Sequence, residues 1–171
     1  MTNEIHSSSI SANIERFSGF ANTYDHYRPS PPHALISWLC KYAAAEYPQL
    51  VVDIASGTGL STRIWQDHTA QIIGIEPNVD MRAQAEEHMR VEAYSGKTHT
   101  SFRAGTSDAT GLADGCADIV TVSQALHWLE PVSTFAEMMR ILRPGGVFAA
   151  YDCDWPPSLD WQIEAAYNAC M

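Results

Sequence analysis

Residues Val51 to Thr62 read VVDIASGTGLST. Two valines and an isoleucine around Asp53 make a strand that is apolar on both faces, as strands of a covered parallel sheet read. Ala55, Ser56, Gly57, Thr58 and Gly59 then offer almost no side chain. Two readings of so bare a turn stand side by side. Gly57 and Gly59 can simply supply positive φ where a strand turns into a helix. Alternatively, a ligand lies across the backbone, where any Cβ would collide, and meets the start of the next helix.

The elements around this turn alternate. Upstream, Ser30-Pro31-Pro32 is a helix-start signal. Leu35, Trp38, Leu39, Tyr42 and Ala43 recur behind it at helical spacing and predict a helix over 31–47 with those residues toward the core. Downstream, Leu60 to Asp67 fits a helix, and QIIGIE (Gln71–Glu76) is a second buried strand. Asn78 is placed to cap a helix bearing Met81, Ala85 and Met89 on one face, with Arg82 and Glu86 paired four residues apart. THTSFRAG is a weaker third strand and DIVTVS (Asp118–Ser123) a firm fourth. A helix over 131–142 carries Phe135, Met138, Met139 and Leu142 at core spacing and stops at RPGG (Arg143–Gly146), before a fifth strand, VFAAYD (Val147–Asp152). Strands alternating with helices predict an α/β fold, a Rossmann-like parallel sheet of about five strands flanked by helices. Right-handed crossovers then gather the loops after the strands on one edge, where such sheets bind ligands. The bare turn lies on that edge.

Composition narrows the ligand. The 171 residues suit one domain, and a net charge of −10 disfavours a nucleic-acid partner. The first residues, MTNEIHSSSI, have neither the cationic start nor the apolar centre of a signal peptide, and no apolar run reaches the roughly 18 residues of a membrane span. The four cysteines, Cys40, Cys116, Cys153 and Cys170, are scattered without metal-ligand spacing, so no metal is expected and reduced thiols in a cytoplasmic protein are the better reading.

Glu76 ends the second strand seventeen positions after Gly59. An acid there in a nucleotide-binding sheet accepts hydrogen bonds from both ribose hydroxyls; alone, it could equally be an acid matched to a helix dipole. A dinucleotide fingerprint needs a third glycine where this chain has Thr62, so that fingerprint fails.

Asp53, Gly57 and Gly59 instead stand in register with the D/E-x-G-x-G-x-G motif, and the chain resembles class I S-adenosylmethionine-dependent methyltransferases, with Ala55 in place of the first glycine. IEPNVDMRAQA is similar to the family's second motif, which implies Glu76 and Pro77 at the ribose and Met81 near the adenine. GTSDATGLADGCADIVTVSQALHWLE resembles the stretch through the fourth strand, which implies Asp108 at the adenine amino group and the Ala109 N–H reading the ring. RILRPGGVFAAYD is similar to the following helix, turn and strand. FSGFANTYDHYRPSPPHAL resembles the entry segment of the type 11, trans-aconitate methyltransferase-like branch, where it folds over the cofactor and implies Tyr24 and Arg28 as contacts. Residues 1–15 read as a polar lead-in; the resemblance implies a lid segment and helix at 16–48, an S-adenosylmethionine-binding domain at 49–155, and at 156–171 the start of a C-terminal region cut short of the family's usual last two strands.

The chemistry of the ligand agrees with the residues. S-adenosylmethionine carries a sulfonium, an ammonium, a carboxylate and a ribose. Asp53 suits the ammonium, Arg28 the carboxylate, and the turn residues Ala55, Ser56, Gly57 and Gly59 lie along it; Ser123 and Gln124 are further contacts. The expected function is methyl transfer to a small-molecule acceptor, a carboxylate, hydroxyl, amine or carbon. A non-catalytic S-adenosylmethionine-binding fragment is the alternative, and a nicotinamide-dependent oxidoreductase is less favoured. Because the methyl group arrives activated, positioning carries the catalysis and a base is needed only for a protic acceptor. His127, in SQALHWLE, is the candidate base, or else packs beside Trp128 and shapes the pocket. With no further strand beside the fifth, VFAAYD is expected to expose unpaired backbone groups and to drive self-association, the alternative being that Trp161 to Met171 fold back over this edge.

Overall fold

Valine and isoleucine crowd the three central strands, which are covered on both faces, whereas the two outer strands are part-buried or exposed along their length. The computed structural model describes residues 28–91, 97–153, 161, 162 and 165. In order it contains α1 (Ala34–Tyr42), β1 (Leu50–Ile54), the short α2 (Leu60–Arg63), β2 (Gln71–Ile75), α3 (Val79–Val91), β3 (His99–Arg103), β4 (Ala117–Ser123), a 3₁₀ turn (Leu126–Trp128), α4 (Pro131–Ile141) and β5 (Leu142–Tyr151). The five strands form one all-parallel sheet in the order β3-β2-β1-β4-β5. β1 pairs with β2 on one side and β4 on the other, so the order reverses beside β1 and the bare turn sits at the switch point.

Alternate residues of the strands feed two cores. Val51, Ile72 and Ile119 join Ile36 and Leu39 of α1, Ala43 at its C-cap and the fully buried Trp65 on one face. Val52, Ile54, Ile73, Ile75, Val120 and Val122 join Met138 and Ile141 of α4 on the other. Asp118 ties the opposite end of the sheet. Its carboxylate accepts the N–H groups of Gln49 (2.7 Å) and Leu50 (3.0 Å) and the Arg143 Nε–H (2.6 Å), while Arg143 Nη2 reaches the Ala43 carbonyl at 2.9 Å. Burial works to raise the Asp118 pKa, and the bonds from Arg143, Leu50 and Gln49 outweigh it and hold it low.

Several local expectations are corrected. The first helix spans Ala34–Tyr42 rather than 31–47, and it ends where Ala44 turns to φ 49°. Trp38 and Tyr42 are 65% and 76% exposed, because the helix lays its Ile36–Leu39–Ala43 row on the sheet. The helix after the bare turn is α-helical only over Leu60–Arg63, and the chain turns again at Asp67 (φ 64°). In α4, Met138 and Ile141 are buried, whereas Met139 is 80% exposed and Phe135 lies at the rim, its ring edge-on to Phe148 with centroids 5.6 Å apart. RPGG is not a turn outside the strand. β5 begins directly at Leu142, and its pairing with β4 shifts register between Ala117↔Leu142 and Ile119↔Val147. Pro144 fits there because β5 is an edge strand among the described residues. Asn78 caps α3 as the sequence predicts, its Oδ1 accepting the N–H groups of Asp80 (3.0 Å) and Met81 (3.1 Å). No described helix is long and apolar enough to cross a membrane.

Candidate functional site

The bare turn leaves β1 with Ala55 at φ 52°, Gly57 at φ 54° and Gly59 at φ 82°. Its three left-handed residues do different work. A Cβ on Gly57 would meet nothing within 4 Å, so that position borders open space. A Cβ on Gly59 would come 2.9 Å from the Phe102 ring, so Gly59 serves packing against β3 as well as its own φ. Ala55 holds a conformation that costs a non-glycine residue about 1–2 kcal/mol. The Ser56 side chain turns inward, toward Gly74 and away from the open side of the turn, and its buried hydroxyl has no hydrogen-bond partner.

Glu76 closes the turn from the neighbouring strand. Its Oε2 accepts the Gly57 N–H at 2.9 Å and its Oε1 the Asn78 N–H at 2.8 Å. One lone pair on each oxygen is used, which leaves two acceptor positions for a ligand's hydroxyls. Burial is the main influence on this carboxyl and raises its pKa, although both N–H donors and the nearby Arg82 oppose it. Arg82 Nη1 donates to the Glu76 carbonyl at 2.7 Å and fixes the start of α3. Met81 is buried on that helix.

Asp53 is fully buried. Thr62 Oγ1 (2.7 Å), Thr121 Oγ1 (2.8 Å) and Ser61 Oγ (3.4 Å) donate to it, and none of these partners is a cation. Burial therefore pushes its pKa up to about 6, with the three hydroxyls pulling down and Glu76 adding to the rise. The Tyr151 hydroxyl lies 2.6 Å from Ser61 Oγ and extends this network to the end of β5. Its own pKa is raised, by burial first and then by the charge of Asp53. Ser61, Thr62, Thr121 and Tyr151 were not among the candidates read from sequence. Thr121, a polar residue within an otherwise apolar strand, was the available signal; its neighbour Asp53 is given by the β1–β4 register.

The other candidates occupy the same edge or its margins. Arg28 donates to the side-chain carbonyl of Gln124, itself at φ 54°, so two expected ligand contacts hold each other at the mouth of β4. Ser123 ends β4. Asp108 and Ala109 are exposed, and the Ala109 N–H already donates to the Thr106 carbonyl at 3.2 Å within a small bridge. Pro77 follows Glu76 and is half-buried. His127 lies on the 3₁₀ turn against Trp128, ring centroids 4.7 Å apart, with Nδ1 3.7 Å from Asp152 Oδ2. Tyr24 lies outside the described residues. Among the described residues no group of three or more histidines, cysteines or acids is placed to hold a metal.

The arrangement brings two buried carboxyls, Asp53 and Glu76, to one open turn. It disfavours a pyrophosphate and suits a ligand that pairs a cation with vicinal hydroxyls.

Comparison with known proteins identifies the family. The model of a methyltransferase domain family, Methyltransf_11, matches residues 52–150. An uncharacterised methyltransferase of Mycobacterium bovis is 31% identical over 130 residues, 76% of this chain and 49% of its own. A Saccharomyces cerevisiae protein named "Probable S-adenosylmethionine-dependent methyltransferase CRG1" is 29% identical over 138 residues, 81% of this chain and 47% of its own. The solved structure of a provisionally assigned type II methyltransferase from Anaeromyxobacter dehalogenans superimposes with a TM-score of 0.69 at 26% identity, covering 84% of this chain and 58% of that one. The chain thus spans about half the length of the curated relatives it matches.

Proposed function

The chain belongs to the Methyltransf_11 methyltransferase domain family, and from that premise we propose that it binds S-adenosylmethionine at the β1–β2 turn and moves its methyl group to a small-molecule acceptor. The observation that carries this reading is the uncompensated Asp53 carboxylate beside the Gly57 turn and Glu76. A buried acid with only hydroxyl partners gains from a cation nearby. Glu76 keeps acceptor capacity for the ribose hydroxyls, and the Gly57 position leaves room for the ligand against the backbone.

The ligand supplies a methyl carbon already activated by a sulfonium. The chain's own residues bind and orient. Asp53 faces the cationic side, Arg28 meets the carboxylate once it leaves Gln124, and Asp108 with Ala109 borders the adenine. Holding acceptor and methyl in line can lower the barrier by up to about 7–11 kcal/mol. The entry segment supports placement in the type 11, trans-aconitate methyltransferase-like branch, whose acceptors are small molecules. Isothermal calorimetry tests the core of the proposal: S-adenosylhomocysteine is expected to bind and the oxidised nicotinamide cofactor not. Preference for the nicotinamide would refute it.

That β5 is an edge among the described residues supports a second part of the reading, self-association. Arg143 and Pro144 guard the first half of β5, but Val147–Asp152 carries no lysine or proline. Light scattering is expected to show a dimer or larger species. A monomer whose Val147–Tyr151 amides are fully protected from hydrogen exchange would overturn this.

A further inference from the structure

We propose that Asp152 is a positioning residue that holds His127 as the proton acceptor of the reaction, so that the methyl acceptor is a hydroxyl, an amine or a carbon acid rather than a carboxylate; this rests on the reading of the ligand edge just given. Neither the motifs nor the family match assigns Asp152 a role.

Its position follows from how β4 and β5 end. Ser123 and Tyr151 are the last paired residues of the two strands, and the Gln124 N–H then donates to the Tyr151 carbonyl at 2.8 Å. The segments that follow therefore leave the sheet from a common frame. On one, the 3₁₀ turn is closed by Trp128 N–H to Ala125 (2.9 Å) and Leu129 N–H to Leu126 (3.1 Å), which fixes the backbone of His127. On the other, Asp152 directly follows β5. The Cys153 N–H donates to Asp152 Oδ1 at 2.8 Å and anchors the carboxylate, and its second oxygen lies 3.7 Å from His127 Nδ1. Trp128, against the imidazole, limits its rotation.

The separation exceeds a hydrogen bond, as such contacts often do before substrate binds. Both side chains remain 55% exposed, so a small molecule can reach them. A carboxylate facing Nδ1 favours the tautomer that carries its proton there and leaves the lone pair on Nε2. As a surface ion pair this contact would contribute little to stability. Orienting a base gives it a function that stability does not measure. In the reaction the acceptor's electron pair forms the bond to the methyl carbon, and the carbon–sulfur bond breaks with its pair left on sulfur. The acceptor's proton moves to Nε2, and the imidazolium, facing Asp152, later releases it to water. A carboxylate acceptor has no proton to lose and would need none of this.

Long-range proton–nitrogen spectra of the full chain with S-adenosylhomocysteine, at alkaline pH where imidazole is neutral, read the His127 tautomer directly. His127→Asn identifies the signal. The expected result is a proton on Nδ1 in the wild type and its loss in Asp152→Ala, with S-adenosylhomocysteine affinity unchanged. Turnover with S-adenosylmethionine and a panel of a phenol, a primary amine, a 1,3-diketone and a carboxylate is the second arm. Methylation of a protic member, with a loss of roughly 10²–10⁴-fold in His127→Ala, is expected, and partial rescue by Asp152→Glu over Asp152→Ala. A wild-type proton on Nε2, a tautomer indifferent to Asp152, or methylation of the carboxylate alone overturns the proposal. Failure to bind S-adenosylhomocysteine would refute the site itself, and the calorimetry shows that separately from the tautomer.

Discussion

Asp53→Asn should make the unliganded protein more stable and a poorer binder. The wild-type carboxylate is ionised at neutral pH although it is fully buried, and burial has moved its pKa from 3.8 to about 6. At 1.36 kcal/mol per pH unit, holding the charge in the fold costs about 3 kcal/mol above both values. Asparagine removes the charge. Three hydroxyls must then rearrange around an amide that both donates and accepts, at a cost of about 1 kcal/mol, so a net gain of about 1–2 kcal/mol is expected near pH 8. Acid removes this cost. Between 3.8 and about 6 the native state holds the proton more tightly than the unfolded chain, so this group's contribution to wild-type stability rises as pH falls through that window. The variant lacks that rise and its advantage should vanish near pH 4. Urea denaturation of both proteins across this range measures the difference directly. In calorimetry the variant should lose about 10- to 150-fold in S-adenosylhomocysteine affinity, the equivalent of one charge-assisted hydrogen bond. A variant less stable than wild type near pH 8, or a stability difference that does not change with pH, would refute the reasoning.

Glu76→Ala strips partners from the Gly57 and Asn78 N–H groups; thermal melts should show a loss of about 2–4 kcal/mol, and calorimetry an affinity lower by one to two decades or more. Unchanged affinity in the folded variant would remove the ribose assignment. Gly57→Val puts its Cβ into open space at φ 54°, so the fold should lose only about 1–2 kcal/mol while ligand binding disappears. Normal binding would make the turn structural only. Ala55→Gly relieves the left-handed strain at φ 52° and, after the added freedom of the unfolded chain, should stabilise by about 0.5–1 kcal/mol in denaturant titration; a destabilised variant would show that Ala55 is not strained.

The order of elements, the parallel sheet and the place of the turn were legible in the sequence because each depends on local pattern: continuous apolar runs for strands, Pro and Asn for helix starts, small residues where the chain must turn left-handed. Glu76 was legible too, since a neighbouring crossover brings the end of β2 beside the turn after β1. Which rows of α1 and α4 face inward was legible in part: Leu39, Ala43 and Met138 are covered as their spacing predicts. Trp38, Tyr42 and Met139 share that spacing yet are exposed, and only the seat of each helix on the sheet decides that Ile36 and Ile141 are covered in their place. The Thr121–Asp53 bond and the approach of Asp152 to His127 depend on the register of β1, β4 and β5 and join residues 68 and 25 positions apart. Ser61 and Thr62 reach Asp53 from the helix just after the turn. Short-range periodicity determines which stretches become strands; which residues of separate strands meet is set by how the sheet packs, and in this chain that packing builds the charged part of the site.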